Sequence, residues 1–488
     1  MKSMSKQKSC LKVVKSMKKF YVTTPIYYVN DKPHIGHAYT TIIADVFARY
    51  YRQKIGKENV FFLTGTDEHG AKIAQAAKKN NQSPKDFVDQ VSGQYQAAWK
   101  ALGISNDYFF RTTDPDHKKI VQDMLQTLYD KGYIYKSLYK GIYCVDCEKY
   151  LTEDEIINGK CPHHPTTELA EQEEENYFFK LRDLTPKILE ALETEKYKVL
   201  PVARKSEILS KIRGGINDIS ISRTGVDWGI PVPWDNKHTI YVWVDALFNY
   251  YSATLIVPEK KHFWPADLHL MAKDILWFHA LIWEALLLAL DKELPKVIFA
   301  HGFFSIDGQK MSKSLGNIID PLELVNSYGI DGVRYLLLTS FAFGNDGDIS
   351  LSKFNEKYNA DLANGIGNLV SRIARLCEQS EYSFLSVFKD IKYESDKSID
   401  EAILEYRPDE AIRIIWNQIQ SFDKDIHNDQ PWALSGERLQ QILESYVRRI
   451  VPIAHNLKPF LPNTAEKIIS IFGADKIVKP EPLFERKK

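Results

Sequence analysis

Two short segments, far apart in the chain, carry side chains that could hold the phosphates of a nucleoside triphosphate. The first is His34-Ile-Gly-His37, placed where a strand should give way to a helix, and helix N-termini favour phosphate. The second contains Lys310 and Lys313, two cations on flexible stems. Alone, the histidines could be neighbours on a helix surface, and the lysines could belong to a solvated loop. Together they predict two halves of one ATP site.

The chemistry that these residues offer is electrostatic. Lys310 and Lys313 could reach the β- and γ-phosphates as charge develops on the leaving pyrophosphate. His34 and His37 could donate to phosphate oxygens in the same transition state, and Gly36 would let the nucleotide approach the backbone. No nucleophilic side chain is needed if a substrate brings its own carboxylate.

The elements around the first segment predict how it is positioned. Residues 20–29 are rich in β-branched and aromatic side chains and end at a turn cluster, residues 30–33, which predicts a strand entering a loop. Beyond the histidines, apolar residues from Ile42 to Tyr51 recur at helical spacing. The histidines should therefore lie at a helix N-terminus, where backbone N–H groups and the positive end of the helix dipole favour phosphate.

The same alternation of strand and helix continues along the chain. Residues 60–64 predict a buried strand that is followed by a polar loop, residues 65–70, and a helix should begin after Ser83. Residues 239–245 and 296–300 predict further strands, and the second of these leads to the lysine segment. Strands that alternate with helices indicate a doubly wound, mostly parallel sheet, in which ligands bind at the carboxyl ends of the strands.

Three of the five cysteines are clustered in a pattern typical of zinc sites. Cys144-x-x-Cys147 is followed, after a gap of thirteen residues, by Cys161-x-x-His164, so two short turns could supply four ligands to a tetrahedral ion. Such a closed site would be structural. His163 is a rival fourth ligand, and a chance cluster is the alternative.

Composition limits the other possibilities. The 488 residues are 44% hydrophobic, and 64 basic residues balance 64 acidic ones, so net charge does not indicate a nucleic-acid partner. The longest apolar run, near residues 285–290, is too short to cross a bilayer, so no membrane role is expected. Residues 1–19 hold seven lysines and no acidic residue. This favours a solvated tail on a cytoplasmic protein, and the alternative is a targeting segment for an organelle matrix.

Strand and helix patterns divide the chain into five parts. They are a basic tail (1–19), the first half of the sheet domain (20–134), an insertion with the zinc knuckle (135–238), the second half of the sheet domain (239–353) and a helical domain (354–488).

Other residues fit either a structural or a functional role. Asp67 could pair with a substrate ammonium or cap its loop, and Tyr28, Trp243 and Tyr250 could be core aromatics or pocket walls. Asn364, Asn368 and Arg372 recur at helical spacing, with Pro431 and Trp432 later in the chain. Such side chains suit unpaired bases, and the alternative is a solvated helix face.

In this order, these segments resemble the class I aminoacyl-tRNA synthetases, and the methionyl-tRNA synthetase family in particular. The resemblance rests on residues 24–30, 65–70, 241–246 and 273–279, together with the histidine, lysine and cysteine segments. It implies a Rossmann-type doubly wound parallel sheet split by a zinc-knuckle insertion and followed by an all-α anticodon-binding domain. It also implies ATP-dependent activation of L-methionine to methionyl-adenylate and transfer of methionine to tRNA(Met).

The resemblance further implies a role for individual residues. ATP, with Mg²⁺, would contact Gly36, Ser312, Ser314 and Asp274, with His34, His37, Lys310 and Lys313 as catalytic residues. Methionine would be bound by Ile26, Tyr28, Asp67, Arg223, Trp243, Ala246, Leu247, Tyr250, Ile275 and His279. The anticodon would meet Asn364, Asn368, Arg372, Pro431 and Trp432, and Zn²⁺ would be held by Cys144, Cys147, Cys161 and His164.

Chains of the family that this sequence resembles can carry an extra C-terminal tRNA-binding domain linked with dimerisation, whereas this sequence stops soon after the helical domain, so the resemblance implies a monomer. The nearest rival assignment is a synthetase of the cysteinyl type, in which zinc would bind substrate at the active site. Isoleucyl, valyl and leucyl types need an editing insertion larger than residues 135–238. A rival of another class is a non-catalytic tRNA-binding protein, against which the intact histidine and lysine segments argue.

Overall fold

The computed structural model describes residues 17–144, 149–151, 156–162, 165, 167–310 and 317–487. At its centre is a six-stranded sheet in which all neighbouring strands are parallel. In spatial order the strands are β3 (Tyr108–Arg111), β2 (Val60–Asp67), β1 (Phe20–Tyr28), β12 (Leu268–Ala272), β13 (Val297–His301) and β7 (Lys198–Leu200). The predicted parallel sheet is confirmed.

Smaller sheets are built from the remaining described strands. An antiparallel sheet contains β5 (Lys149–Leu151), β4 (Ile134–Cys144), β6 (Ala170–Phe179) and β8 (Ile219–Ser220). A second contains β10 (Pro231–Val232), β11 (Asp235–Ile240) and β9 (Ser222–Arg223). A third contains β15 (Gln309–Lys310), β14 (Phe304–Ile306) and β16 (Gly347–Ile349).

Helices connect these strands and make up most of the chain beyond β16. Those before residue 340 are α1 (Ile35–Ile55), α2 (Ala71–Lys79), α3 (Pro84–Ala101), α4 (Pro115–Asp130), α5 (Leu181–Glu193), α6 (Val202–Arg213), α7 (Val242–Leu247), α8 (Asn249–Ile256), α9 (Glu284–Ala289) and α10 (Pro321–Thr339). Later ones are α11 (Leu351–Lys357), α12 (Asn368–Ser380), α13 (Leu385–Asp390), α14 (Lys397–Leu404), α15 (Pro408–Asp429), α16 (Gly436–Leu457) and α17 (Pro462–Phe472). Short 3₁₀ turns lie at Lys57–Asn59, Pro258–Phe263, Lys273–Ile275 and Pro431–Ala433, and π-helical turns at Phe278–Trp283 and Tyr358–Gly367.

Both faces of the central sheet are covered, as the apolar composition of its strands requires. Phe20 and Val22 of β1 belong to one core, whereas Tyr21 between them belongs to the other. Phe62 and Phe61 of β2 divide in the same way. Because successive side chains of a strand point to opposite faces, a sheet with helices on both sides needs apolar residues at every position.

The strand order reverses between β1 and β12, and this crevice is where doubly wound sheets bind their ligands. The histidine segment follows the carboxyl end of β1, and the turn Lys273–Ile275 follows β12. The lysine segment begins in β15, after the neighbouring strand β13. The topology therefore gathers the predicted ATP-site segments at one edge of the sheet.

One core joins the central sheet to the C-terminal helices. Phe299 of the sheet, Ile415 and Leu457 all belong to it. Arg334 of α10 is completely buried within this region and pairs with Asp45 of α1 at 2.7 Å. Its other nitrogens donate to the carbonyl oxygens of Phe460 at 2.7 Å and Pro459 at 3.0 Å. The helix of the histidine segment is thus tied to the C-terminal helices.

Two segments differ from the sequence-based expectation. Residues 239–245 were predicted as a strand, but β11 ends at Ile240 and α7 begins at Val242, so this part of the prediction is wrong. Its β-branched and aromatic residues pack into the core as a helix, because tertiary contacts override local propensity. Lys198–Leu200, inside the range predicted as an insertion, forms an edge strand of the central sheet. The domain boundaries stay a prediction. Among the described helices, none has the length and apolar composition needed to cross a membrane.

Candidate active site

The two histidines of the first segment cap the helix that they begin. The backbone N–H of Gly36 donates to Nδ1 of His34 at 3.0 Å, and the backbone N–H of His34 donates to Nδ1 of His37 at 3.2 Å. The rings stack with centroids 3.8 Å apart. The first turn of α1 contains no acidic residue, so no carboxylate of that turn neutralises the positive end of the helix.

These caps determine where the ring protons lie. Because Nδ1 of each histidine accepts a backbone hydrogen bond, the neutral ring carries its proton on Nε2. Burial, with a smaller contribution from His34, lowers the pKa of His37 well below its usual value. His37 is therefore neutral at physiological pH and offers Nε2–H as a hydrogen-bond donor. A phosphate oxygen is a suitable acceptor for such a group.

The chain beyond the lysine segment returns to the start of the same helix. The backbone N–H of Ile35 donates to the carbonyl oxygen of Ile319 at 3.0 Å, and Lys32 pairs with Asp320 at 3.1 Å. The backbone of Lys310 pairs with Ser305 in the hairpin of β14 and β15. Ser312, Lys313 and Ser314 lie outside the described residues, and so does the side chain of Lys310. Both flanks of the lysine segment are nevertheless anchored at this edge.

The Asp67 loop, residues 65–70, is held on both sides. Asp67 itself is nearly buried, and its carbonyl oxygen accepts from the backbone N–H of Val29 at 3.1 Å. The carboxylate of Glu68 accepts two hydrogen bonds from Arg111, at 2.6 and 3.0 Å. On the other side, Nδ1 of His69 lies 2.6 Å from the carboxylate of Asp245. The loop is therefore a fixed support for the Asp67 carboxylate.

Arg223 lies beside this loop. It is nearly buried on β9, its Nη1 donates to the carbonyl oxygen of Ser222 at 2.8 Å, and its guanidinium lies 4.2 Å from the ring centre of Tyr241. A small cleft is lined by Gly70, Arg223, Trp228 and Tyr241 among others. The predicted pairing of Arg223 with Asp67 stays a prediction.

The predicted methionine pocket is apolar and electrically neutral at its base. The Tyr250 hydroxyl lies 2.7 Å from Nε2 of His279, whose Nδ1 lies 2.9 Å from the carbonyl oxygen of Ile275. Nδ1–H therefore donates to the carbonyl, and Nε2 accepts from the hydroxyl. Burial lowers the pKa of His279 to about 4, so the ring is uncharged at neutral pH. An uncharged pocket floor formed by aromatic rings suits a polarisable thioether.

The residues predicted to line the pocket differ in how deeply they are buried. Ala246, Leu247, Tyr250 and His279 are buried, whereas Ile26, Tyr28, Trp243 and Ile275 are half-buried. The indole of Trp243 stacks on Phe278 with centroids 3.8 Å apart. Phe278 and His279 begin a π-helical turn, a distortion that is frequent at functional sites. Asp274, predicted to contact ATP, is exposed in the turn that follows β12.

The predicted zinc site lies partly outside the described residues. Cys144 and Cys161 are buried in one small cluster with Leu151. Cys147 and His164 lie outside the described residues, as does the rival ligand His163. Within the ranges given above, no group of three or more histidine, cysteine, aspartate or glutamate side chains could hold a metal ion. Two thiols in one cluster fit the predicted donor set.

The predicted anticodon residues do not lie on one continuous α-helix. Asn364 belongs to the π-helical turn, with a non-helical backbone at Gly365, and α12 begins only at Asn368. The simple helical spacing inferred from the sequence is therefore wrong here. Asn364 and Asn368 are exposed, Trp432 is 56% exposed, and Arg372 pairs with Asp423. Pro431, by contrast, is buried.

Sequence reasoning missed several residues that organise the site. His117 bonds to Asp245 at 2.8 Å, and His301 at the end of β13 bonds to Thr40 of α1 at 2.7 Å. Lys273 pairs with Asp346 at 2.7 Å. His69 and Asp245 lie within the segments that carry the family resemblance, which was a usable signal. The spacing of His117 and His301 gives no such signal, since their partners are distant in sequence.

Comparisons with known proteins agree with this geometry. The family described as tRNA synthetases class I (M) matches residues 20–174 and 164–374. A methionine-tRNA ligase from Thermotoga maritima is 43% identical over 92% of this chain and 74% of its own length. One from Rickettsia conorii is 40% identical over 94% of this chain and 93% of its own length.

Solved structures are similar over nearly the whole chain. The methionyl-tRNA synthetase of Mycobacterium tuberculosis bound to methionyl-adenylate superposes with a TM-score of 0.87, at 34% identity, over 96% of this chain and 100% of that one. The free form of that enzyme gives a TM-score of 0.80 at 31% identity, over 97% of this chain and 99% of that one.

Proposed function

The chain belongs to the class I tRNA synthetases of the methionine type, and we propose how its residues carry out the reaction of a methionine-tRNA ligase. The carboxylate of methionine attacks the α-phosphorus of ATP, the bond to the β-phosphate breaks, and pyrophosphate leaves. A hydroxyl of the terminal adenosine of tRNA(Met) then attacks the carbonyl carbon of methionyl-adenylate, and AMP leaves. No covalent bond to the protein is needed in either step.

The observation that carries this proposal is the capped start of α1. His34 and His37 use Nδ1 for backbone hydrogen bonds, and the neutral ring of His37 therefore offers Nε2–H to a phosphate oxygen. The N-terminus of α1, whose first turn contains no acidic residue, adds its own positive field. Lys310 and Lys313 would stabilise the charge of the leaving pyrophosphate. ATP enters as its magnesium complex, near the exposed carboxylate of Asp274.

Methionine occupies the pocket above Tyr250 and His279. Tyr250 and His279 form a neutral, hydrogen-bonded floor, which supports selection of an uncharged side chain. Asp67 holds the ammonium, and Arg223 orients Asp67. Because the phosphates and the thioether use different parts of the site, damage to one part should leave the other intact.

The tRNA meets the enzyme at two distant places. Its terminal adenosine enters the crevice at the carboxyl edge of the sheet, while the anticodon contacts the C-terminal helices. Exposed Asn368 and Trp432 support this assignment, since an amide reads base edges and an indole stacks on bases. Asn364, Arg372 and Pro431 complete the proposed surface.

Zinc would hold the knuckle together through Cys144, Cys147, Cys161 and His164. The burial of Cys144 and Cys161 in one cluster fits this donor set. Bound zinc would supply fold stability, not reaction chemistry. Metal analysis of the purified protein and of Cys144→Ser tests this, and a normally folded, zinc-free wild-type protein would overturn it.

Exchange of labelled pyrophosphate into ATP tests the function directly. We expect exchange that depends on methionine, with cysteine inactive. Absence of exchange with methionine, or faster exchange with cysteine, would contradict the proposal. Light scattering of the active protein tests the predicted monomer, and cell fractionation tests the predicted cytoplasmic location.

A further inference from the structure

A chain of buried polar groups links segments that carry the proposed methionine-binding residues. His69 Nδ1 lies 2.6 Å from one carboxylate oxygen of Asp245, and His117 Nε2 lies 2.8 Å from the other. On the far side, Nδ1 of His117 lies 3.0 Å from the hydroxyl of Ser252. All four side chains are buried, with Asp245 only 1% exposed. None of them has a role in the reaction proposed above.

The proton positions in this chain follow from the charge of its central member. Asp245 is ionised, since hydrogen bonds and charge from its two histidine neighbours outweigh burial and lower its pKa to about 2. A carboxylate only accepts, so His69 donates through Nδ1–H and His117 donates through Nε2–H. Charge-assisted hydrogen bonds of this kind are roughly twice as strong as neutral ones.

The chain connects elements that hold different parts of the substrate. His69 belongs to the Asp67 loop, two residues from the proposed ammonium ligand. Asp245 belongs to α7, between Trp243 and Ala246 of the side-chain pocket. His117 on α4 holds the carboxylate directly, and Ser252 on α8 holds His117 in turn.

We propose that Asp245 is a positioning residue for methionine binding. It fixes the distance between the ammonium-binding loop and the wall of the side-chain pocket, so that a single methionine molecule can contact both. Methionine binding then does not include the free-energy cost of ordering these two elements relative to each other. This inference rests on the proposed function, because it assigns the substrate of the same site.

The experiment compares two ligands on two variants. In Asp245→Asn, an amide N–H replaces one accepting oxygen, so one histidine loses its acceptor. We expect the dissociation constant of L-methionine to rise roughly 10- to 100-fold. The analogue of methionine that lacks the amino group should weaken by less than about 3-fold, since it does not use the Asp67 loop. The KM of ATP should stay unchanged.

Asp267→Asn is the matched control. Asp267 is also buried, accepts a hydrogen bond from the backbone N–H of Tyr21 at 2.8 Å and pairs with Lys296 at 2.6 Å. It precedes β12 and so lies at the amino end of that strand, whereas the proposed site lies at the carboxyl end. This variant should lose thermal stability without a selective loss of methionine binding. Equal weakening of both ligands in Asp245→Asn, or unchanged methionine binding, would overturn the inference. His69→Gln, which also removes the short contact to Asp245, should reproduce the selective loss if Asp245→Asn fails to fold.

Failure of the proposed function would look different. In that case the wild-type protein would show no methionine-dependent pyrophosphate exchange, and no variant would need to be compared. A wild type that exchanges with methionine, together with equal ligand losses in Asp245→Asn, would instead reject only the positioning role.

Discussion

The histidine caps of the phosphate half and the contacts of Asp245 in the amino-acid half differ greatly in sequence range. In the phosphate half, the caps of α1 join residues two or three positions apart, from His34 to His37. In the amino-acid half, the contact between His69 and Asp245 joins residues 176 positions apart. The contact between His117 and Asp245 spans 128 positions. The histidine caps are therefore local, whereas the contacts of Asp245 depend on the complete fold.

Because of this difference, substitutions in the two regions should affect activity and stability differently. A local cap continues to form as long as its own helix forms, so variants there should change chemistry more than stability. A buried long-range network is coupled to packing, so variants there should change affinity and stability together. Substitutions at Lys313, His37 and Tyr250 test this division, and substitutions at Glu284 test stability alone.

The largest effect is expected from Lys313→Ala in the phosphate half. Removing a cation that stabilises the leaving pyrophosphate should lower the rate of methionyl-adenylate formation roughly 100- to 1,000-fold. The dissociation constant of methionine should change by less than about 2-fold. Single-turnover measurement of adenylate formation checks the rate. A rate equal to that of the wild type would remove Lys313 from the mechanism.

Substitutions of His37 can separate its two nitrogens. His37→Gln keeps a donor near the position of Nε2, whereas His37→Asn keeps an acceptor near that of Nδ1. We expect His37→Asn to retain the stability of the wild type but to lose roughly 100-fold in exchange rate. We expect His37→Gln to keep more activity and to lose about 1 kcal/mol of stability through the weakened cap. The reverse ranking would show that His37 acts only as a cap.

A smaller effect, confined to the amino-acid half, is expected from Tyr250→Phe. Nε2 of His279 loses its donor at the base of the pocket, so the KM of methionine should rise roughly 10-fold. The KM of ATP should stay the same. Tyr335→Phe is the control, since it removes another buried hydroxyl that donates to Asp361 at 2.7 Å, away from the pocket. A larger change for ATP than for methionine would break the proposed division.

The smallest effect concerns stability alone. Glu284 is completely buried in α9, and within the described residues neither carboxylate oxygen has a hydrogen-bond partner. Burial raises its pKa well above 4.5. Below pH 4.5 the Glu284 carboxyl group is protonated in both the folded and the unfolded state. Above that pH it ionises only in the unfolded state, so the free energy of unfolding falls as the pH rises. Glu284→Gln cannot ionise and should be more stable than the wild type at pH 8, by roughly 1–3 kcal/mol, with a smaller difference at pH 5.

Urea unfolding at the two pH values measures this difference. Glu284→Met, which also removes the polar burial, should be at least as stable as Glu284→Gln. Identical wild-type and Glu284→Gln curves at both pH values would show that Glu284 is not held neutral.

The sequence was most informative where structure is local. The strand of residues 20–28, the helix that begins at Ile35 and the cap at Ser83 are all predictable from periodicity and turn chemistry. It was least informative where distant packing decides. The helix Val242–Leu247 has the composition of a strand, and the edge strand Lys198–Leu200 has only three residues and is completed by pairing with β13. The π-helical turn before Asn368 cannot be read from helical spacing, because that spacing assumes a regular α-helix.

The buried guanidinium of Arg334 has a consequence for shortened versions of the enzyme. A chain truncated before Pro459 would keep every residue assigned to ATP and methionine. It would nevertheless remove the two carbonyl acceptors of Arg334 and expose the charge beside Asp45, in the middle of α1. The C-terminal helices therefore stabilise the position of α1, the helix that begins at the histidine segment, independently of any contact with tRNA.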